Sequence, residues 1–141
     1  MFVKDILRAK GHDVFTIDQN VTLMEVVDEM VDRDCGSLVV TKAGQMVGIV
    51  TERDILRASS ECQRPLSETP LASAMHEKPR TVALTDRVSD LMRTMTDKRI
   101  RHLPVIDDEN LVGLISIGDV VKAQEAELRA ENRFLKEYII G

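Results

Sequence analysis

Aromatic side chains are scarce in this chain, which has three Phe, one Tyr and no Trp among its 141 residues. Any core must therefore consist mainly of Val, Ile, Leu and Met. The composition is 43% hydrophobic and 30% charged, a balance typical of globular rather than disordered proteins. A chain of this length can bury roughly two thirds of its unfolded surface, so it is long enough for one domain-sized folded body.

An excess of positive charge is also missing, since the formal net charge is −5. General binding to nucleic acids or to anionic membranes needs a basic surface, so neither partner is predicted. Long apolar runs are absent as well, and the start of the chain carries charges at Lys4 and Asp5. We therefore predict neither a signal peptide nor a membrane span, and the expected location is cytoplasmic.

Residues that carry catalysis or bind metals form no recognisable pattern. Cys35 and Cys62 suit neither a disulfide framework nor a metal site. His12 and His76 lie in predicted loops and have no His, Cys or acidic residue at a ligand spacing. A Walker loop, a Ser-His-Asp order and paired carboxylates are all missing from the pattern. We expect no metal, no catalytic cofactor and no enzymatic activity.

What the sequence does contain is a short run that occurs twice. Residues 48–54 read Gly-Ile-Val-Thr-Glu-Arg-Asp and residues 113–119 read Gly-Leu-Ile-Ser-Ile-Gly-Asp, 65 positions later. The agreement holds without a gap from Thr22 to Arg57 against Arg87 to Lys122. Self-similarity of this extent indicates a duplicated unit.

Each half predicts the order strand, helix, strand, strand, helix. One such unit has too little core to fold alone, so the halves should pack on each other about a pseudo-twofold axis with two related clefts. The fold class is α/β (α+β), with tandem β-α-β-β-α repeats and a long C-terminal helix. The predicted divisions are 1–60 for the first repeat with an N-terminal helix, 61–69 for a linker, 70–124 for the second repeat and 125–141 for a helical extension.

The periodicity places the individual elements. Thr22 is a predicted N-cap with Glu25 as its capping-box partner. Apolar residues at the spacing of one buried helical face follow it and recur in the second half. The strands are predicted at 14–17, 37–40, 46–50, 81–84, 102–106 and 111–115. The helices are predicted at 3–10, after Thr22, after Thr51, at 71–75, after Arg87 and from Asp119 towards Gly141. The two buried helical faces are Leu23, Val26, Val27 and Met30 in the first half, and Val88, Leu91, Met92 and Met95 in the second.

The repeated run allows two interpretations. Thr51 and Ser116 are good N-caps, and Asp54 and Asp119 stand at the N3 position of a capping box, so the run could serve only to begin two helices. Helix N-termini at the carboxyl ends of strands also accept phosphates, and an aspartate is an acceptor suited to a ribose diol. A nucleotide site is therefore chemically reasonable at each copy.

The duplicated run, with Arg101-His102-Leu103-Pro104-Val105 ahead of the second copy, resembles a cystathionine-β-synthase (CBS) domain pair. The resemblance covers residues 3 to about 124 and is strongest to small stand-alone bacterial CBS-pair proteins. In that family the module regulates inosine-monophosphate dehydrogenases, chloride channels and the energy-sensing kinase. The resemblance implies adenine nucleotides, NADH or S-adenosylmethionine as ligands, bound in two clefts that each draw on both repeats.

Carried over by position, the resemblance also implies the site residues. One cleft would contain Asp119 and Ser116 facing Phe15 and Cys35-Gly36-Ser37. The other would contain Asp54 and Thr51 facing Val82 and Ile100-Arg101-His102.

A basic cluster distinguishes the second copy from the first. Arg101 and His102, with Lys98, Arg99, Lys78 and Arg80 close in sequence, could form a phosphate-binding patch. The alternative is that Lys98, Arg99 and Arg101 form only a solvated turn. A real phosphate patch would make the two clefts unequal.

The C-terminal helix carries a stripe of Leu128, Leu135, Tyr138 and Ile139 that the repeat does not account for. It should either fold back on the pair or pack against another chain, and the family resemblance implies a homodimer. The sequence thus predicts an adenosyl-ligand sensor that acts on an unknown partner protein. The alternatives are a structural interaction module with vestigial clefts and a regulatory subunit acting in trans on an enzyme.

Overall fold

The structure is a computed structural model that describes residues 1–61 and 63–140. It contains two compact units. The central unit comprises Val14–Arg80, and the terminal unit comprises Met1–Asp13 together with the chain from Thr81 onward. Cys62, for which neither a disulfide nor a metal site is predicted, and Gly141, towards which the C-terminal helix is predicted to run, lie outside the described residues.

The central unit is built on a four-stranded sheet with the strand order β1-β2-β3-β4. Strand β1 runs parallel to β2, and β3 runs antiparallel to both β2 and β4. Helix α2, helix α3 and two short 3₁₀ turns complete the unit. The bounds are β1 Thr16–Asp18, α2 Leu23–Arg33, β2 Ser37–Lys42, β3 Gln45–Thr51, α3 Glu52–Glu61, 3₁₀ turns Leu66–Glu68 and Leu71–Ser73, and β4 His76–Glu77.

The terminal unit repeats this plan around an antiparallel β5-β6 hairpin. Its bounds are α1 Val3–Lys10, α4 Val88–Lys98, β5 His102–Asp107, β6 Asn110–Ser116 and α5 Ile117–Ile140.

The strand predicted at 81–84 is wrong, because only Val82 pairs, in a single parallel bridge with Val105. The amide of the next residue, Ala83, donates to the Asp86 carboxylate at 2.8 Å, which turns the chain away from the hairpin. The segment predicted as a helix at 71–75 is likewise only a 3₁₀ turn over Leu71–Ser73.

Local sequence explains why α2 begins where it does. The Glu25 amide donates to Thr22 Oγ1 at 3.3 Å, and the Thr22 amide donates to Glu25 Oε2 at 2.8 Å. The predicted capping box is therefore confirmed. The helix ends at Arg33, and the next residue, Asp34, adopts the left-handed conformation with φ 51°.

The two hairpins share their turn and their irregularity. Ala43 and Gly44 have φ of 51° and 78°, and Asp108 and Glu109 have φ of 49° and 65°, as a two-residue turn of mirror-image type requires. A break in register follows Val40 in the first hairpin and Val105 in the second, 65 positions apart. The duplication therefore extends to the details of the backbone.

Each unit has its own aliphatic core. The predicted helix faces are buried apart from Val27 and Met92, which are partly buried. The central core comprises Leu23, Val26, Met30, Leu38, Val40, Val50, Ile55, Ala58 and Leu71, and the terminal core comprises Val3, Ile6, Leu7, Val88, Leu91, Met95, Leu103, Val105, Ile115 and Val120.

Helix α1 belongs to the unit of the second repeat, although it stands at the start of the first repeat in sequence. The Val3 amide donates to the Asp86 carbonyl at 2.9 Å, and the Lys4 amide donates to the Leu84 carbonyl at 3.0 Å. The Leu71 segment, which begins the second repeat in sequence, packs in the central core, and the Leu71 amide donates to the Val21 carbonyl at 2.9 Å. The predicted boundaries at 60, 70 and 124 follow the sequence repeat, whereas the two compact units group the chain differently. The repeat boundaries stay a prediction.

Helix α5 continues far beyond the core, and Val120 is its one fully buried residue in the part of the chain that the structure describes. Leu128 is 59% exposed and Tyr138 is 79% exposed. Of the two predicted alternatives for the stripe, the structure does not show the one in which it folds back on its own chain. No helix among residues 1–61 and 63–140 is long and apolar enough to cross a membrane.

Candidate functional site

The aspartate of the first repeated run, Asp54, is enclosed at the start of α3. Thr51 ends β3, and its amide and its hydroxyl donate to Asp54 Oδ2 at 2.8 Å and 3.1 Å. His76 Nε2 lies 2.8 Å from Oδ1, and Arg57 Nη1 lies 3.5 Å from the same oxygen. The Asp54 side chain is 0% exposed. Both carboxylate oxygens are therefore occupied by groups of the central unit.

The aspartate of the second run, Asp119, is held similarly but remains open to solvent. The Ser116 amide donates to Asp119 Oδ2 at 2.9 Å, and the Asp119 amide donates back to Ser116 Oγ at 3.2 Å. Lys10 Nζ, at the end of α1, donates to the same Oδ2 at 2.7 Å and to the Leu114 carbonyl at 2.8 Å. The Asp119 side chain is 22% exposed.

Electrostatics keep Asp119 ionised. Burial by itself would raise its pKa, but hydrogen bonds from Lys10 and Ser116 and the positive charge of Lys10 outweigh burial and lower the pKa below the ordinary value for Asp. Asp119 is therefore a charged acceptor at neutral pH, with part of its surface accessible to a ligand.

The glycine of each run is needed for close packing. A Cβ on Gly48 would lie 2.6 Å from the His76 carbonyl oxygen, and a Cβ on Gly113 would lie 2.6 Å from Leu7 Cδ2. Neither glycine has a positive φ, so the requirement is for space and not for backbone conformation. The glycines let the segment that carries His76 and helix α1 lie against their strands.

The first amide of each of these helices is already paired. The Glu52 amide donates to the Gly36 carbonyl at 3.0 Å, and the Ile117 amide donates to the Arg101 carbonyl at 2.9 Å. A helix start binds an anion through unpaired amides, and here the N1 amides are used internally. The helix starts are therefore better suited to a ligand whose hydroxyl group donates to the aspartate than to a phosphate that accepts from unpaired amides.

Two stretches of the chain match the CBS domain family, residues 3–61 and residues 71–126. These stretches contain both copies of the repeated run, and together they span well over half of the chain. The protein belongs to the CBS domain family. The resemblance inferred from the two runs is therefore confirmed.

Relatives of this CBS pair occur in plants and bacteria. The chain is 37% identical over 150 residues to the mitochondrial CBS domain-containing protein CBSX3 of Arabidopsis thaliana, with 99% of this chain and 72% of that protein covered. It is 38% identical to the solved CBS-domain protein ATU1752 of Agrobacterium tumefaciens, with a TM-score of 0.85 and coverage of 88% and 99%. It is 37% identical to the solved CBS domain NE2398, with a TM-score of 0.84 and coverage of 88% and 97%.

The remaining site residues predicted in the central unit surround the start of its sheet. Phe15 precedes β1, is 40% exposed and carries the Arg33 guanidinium 4.8 Å from its ring centre. Burial raises the pKa of the Cys35 thiol, although the backbone of Ser37 and the charge of Arg33 act in the opposite direction. The buried Ser37 begins β2 and pairs with Thr51 across the sheet.

The basic residues of the predicted phosphate patch divide between the two units. Lys78 and Arg80 are exposed and follow β4 in the central unit, whereas Arg101 and His102 stand at the start of β5 in the terminal unit. His102 pairs with Ser116 across the hairpin. The phosphate patch stays a prediction.

Two further positions predicted for a ligand lie in the terminal unit. The Val82 amide donates to the Pro104 carbonyl at 2.9 Å, and the partly buried Ile100 packs on the terminal core. The predicted facing of these residues towards the aspartate of the other repeat stays a prediction.

Sequence reasoning missed two bases that contact the aspartates from other segments of the chain, Lys10 and His76. The sequence predicts His76 in a loop without an acidic partner, and this prediction is wrong, because His76 begins β4 and contacts Asp54. A signal was present, because the segment 71–75 resembles the start of the chain, and each of these segments has a base at or soon after its end. The two similar segments thus each supply a base to one aspartate.

Proposed function

We propose that this CBS pair is a regulatory module that binds an adenosyl ligand, such as AMP, ADP, ATP, NADH or S-adenosylmethionine, and has no catalytic activity of its own. The observation that carries the proposal is the ionised and partly exposed Asp119 at the start of α5. The 2′ and 3′ hydroxyls of a ribose donate well to such a carboxylate. The site needs no further acid or base to hold a nucleoside.

The two aspartates differ in how accessible their carboxylate oxygens are to a ligand. The contacts of Lys10 and Ser116 with Asp119 fall on Oδ2, whereas the contacts on Asp54 occupy both of its oxygens. A ribose at Asp54 would have to displace His76 or Thr51, and that displacement lowers affinity. We therefore propose that Asp119 is the first site to fill and that Asp54 binds more weakly.

A more distant member of the fold supports the class of ligand. The CBS domain pair of protein MJ0100 has been solved in complex with 5-methylthioadenosine and S-adenosyl-L-methionine. It is 23% identical to this chain, with a TM-score of 0.78 and coverage of 90% and 98%. At that identity the likeness is one of fold, so it supports the adenosyl class and not a particular compound.

The signal would arise from differential binding. A ligand that prefers one arrangement of the module shifts the population towards it by no more than its difference in affinity. Asp119 lies in the first turn of α5, and that helix continues far beyond the terminal core, so α5 is the element that we propose to transmit the change. The receiving protein would be either an independent partner or an enzyme regulated in trans.

A second candidate function is an interaction module in which both aspartates serve only as helix caps. Enclosure of Asp54 favours this reading for the first repeat. Exposure of Asp119 favours ligand binding for the second repeat.

Calorimetry on the full chain separates the two candidates. The five adenosyl compounds are titrated into the wild type, Asp119→Asn and Asp86→Asn. Asp86 is the matched control because its carboxylate also accepts a backbone amide, that of Ala83 at 2.8 Å, outside the repeated run.

We expect at least one compound to bind the wild type and Asp86→Asn alike. Loss of the charged acceptor in Asp119→Asn should weaken binding by about tenfold or more. At 100 times its dissociation constant the ligand should also stabilise the wild type by about 2.7 kcal/mol. If no adenosyl compound binds at millimolar concentration, the cap-only reading is correct; if Asp119→Asn binds like the control, Asp119 is not the ribose acceptor.

A further inference from the structure

The C-terminal part of α5 carries an apolar stripe that the described part of the chain leaves largely exposed. We define the tail stripe as Val121, Leu128, Leu135 and Ile139, which are 43%, 59%, 48% and 79% exposed. The match to the CBS family ends at residue 126, so most of the stripe lies beyond the repeated domain. A row of exposed aliphatic side chains on a protruding helix indicates a binding surface.

The spacing of the stripe is that of a coiled coil. Val121, Leu128 and Leu135 recur every seven residues, and Ile139 follows four residues after Leu135. In heptad terms the first three occupy d positions, and Glu125, Asn132 and Ile139 occupy a positions. Leu at d suits two parallel strands, and one Asn at an a position fixes the register at a cost in stability. Glu125 adds a further cost at the start of the seam, so the association depends mainly on the residues from Leu128 to Ile139.

Charges beside the tail stripe determine the orientation of the partner. One flank carries Lys122, Arg129 and Lys136 at successive e positions, and the other carries Glu131 and Tyr138 at g positions. In a parallel pair each g position faces the e position five residues later on the other helix, so Glu131 meets Lys136. In an antiparallel pair the basic flank would face itself, and like charges would repel.

We propose that the tail stripe pairs with the same stripe of a second copy of this chain, as a parallel and in-register two-stranded coiled coil. Asn132 then faces Asn132 of the second copy across the seam, and Glu131 pairs with Lys136 of the second copy in both directions. The seam is less than three heptads long, which is marginal for an isolated helix pair, so each seam residue has a large effect on association.

A lipid surface fits the same face less well. From Val121 to Ile140 the helix carries four basic and four acidic residues. A helix that lies on an anionic membrane needs a basic excess around its apolar face, and the flank with Glu131 would be repelled. The charge pattern therefore favours a second copy.

Disulfide trapping on the full chain tests the proposal. Cysteine is placed at Leu135 in one variant and at Glu137, on the opposite side of the helix, in the matched control, with Cys35 and Cys62 replaced by serine in both. In a parallel in-register pair two d-position cysteines face each other within disulfide reach. We expect Leu135→Cys to form a linked dimer in a redox buffer and Glu137→Cys to remain largely unlinked, with unchanged circular dichroism.

A charge swap in the Leu135→Cys background tests the register. Lys136→Glu should lower the linked fraction by about threefold, and Glu131→Lys combined with Lys136→Glu should restore it. Equal linking of Leu135→Cys and Glu137→Cys would reflect random collision and overturn the proposal. Absence of linking, with or without binding to phosphatidylserine vesicles, would overturn it as well, and vesicle binding would point to the lipid surface instead.

Discussion

Replacing Gly48 by alanine should detach the segment that holds His76 against Asp54. The new Cβ would lie 2.6 Å from the His76 carbonyl oxygen and 3.3 Å from Met75 Sδ. Non-bonded heavy atoms rest at about 3.5 Å or more, so the His76 backbone must retreat by roughly 1 Å. A backbone carbonyl cannot rotate aside as the end of a side chain can.

The cost follows from the contacts that this movement breaks. Strand β4 pairs with β3 only through Gly48 with Glu77 and Ile49 with His76. Loss of that pairing costs about 1 kcal/mol for each backbone hydrogen bond, and loss of the His76 contact with the buried Asp54 costs about 1.5–3 kcal/mol. Alanine recovers about 0.4–1 kcal/mol through the unfolded state. The net expectation is a loss of about 2–4 kcal/mol.

Gly113→Ala is the matched comparison, because its Cβ would meet the end of the Leu7 side chain, at 2.6 Å from Cδ2 and 2.8 Å from Cδ1. Leu7 is fully buried but can change rotamer, so overpacking should cost about 1–2 kcal/mol. Urea denaturation measures both changes, and the ring resonances of His76 report whether its contact with Asp54 survives. If Gly48→Ala were as stable as the wild type, or left the His76 resonances unchanged, the close approach of this segment would not support the Asp54 contact.

Two further predictions concern the helix ends. Lys10→Met removes the main positive charge on Asp119 and should cost about 1 kcal/mol at pH 7, since both side chains are partly solvated. The pKa of Asp119 is lower in the folded state than in the unfolded state, so its stabilising contribution is present above the unfolded pKa of about 3.9 and is lost as pH falls through the folded value. The difference in free energy of unfolding between the wild type and Lys10→Met should therefore narrow below about pH 4. Arg8→Met, an exposed change on the same helix, serves as the control. If the stability difference between the wild type and Lys10→Met were the same at about pH 3 and pH 7, Lys10 would not act through the ionised Asp119. Thr22→Ala should cost about 1 kcal/mol in thermal unfolding through loss of the α2 cap, and an unchanged melting temperature would show that Glu25 holds the helix start alone.

Local patterns in the sequence were sufficient for most elements of the fold. Thr22 and Glu25 predict a helix start, and Ala43-Gly44 predicts the hairpin turn. The spacing of Leu23, Val26 and Met30 predicts the buried face of α2. These features depend on residues a few positions apart, where helical and strand periodicity operate. The same reasoning failed at 81–84, where one carboxylate, Asp86, diverts the chain after a single bridge.

The sequence alone determined that this protein is a duplicated CBS pair and which hydroxyls and aspartates mark its two helix starts. Tertiary structure alone decided what those aspartates contact, because Lys10 reaches Asp119 across 109 positions and His76 lies far from Asp54 in sequence. It also decided that one carboxylate is enclosed and the other open, since exposure depends on which segment packs over each helix start. Helical or strand periodicity in the sequence does not predict such contacts. They form only when α1 and strand β4 pack against the glycines of the repeated run.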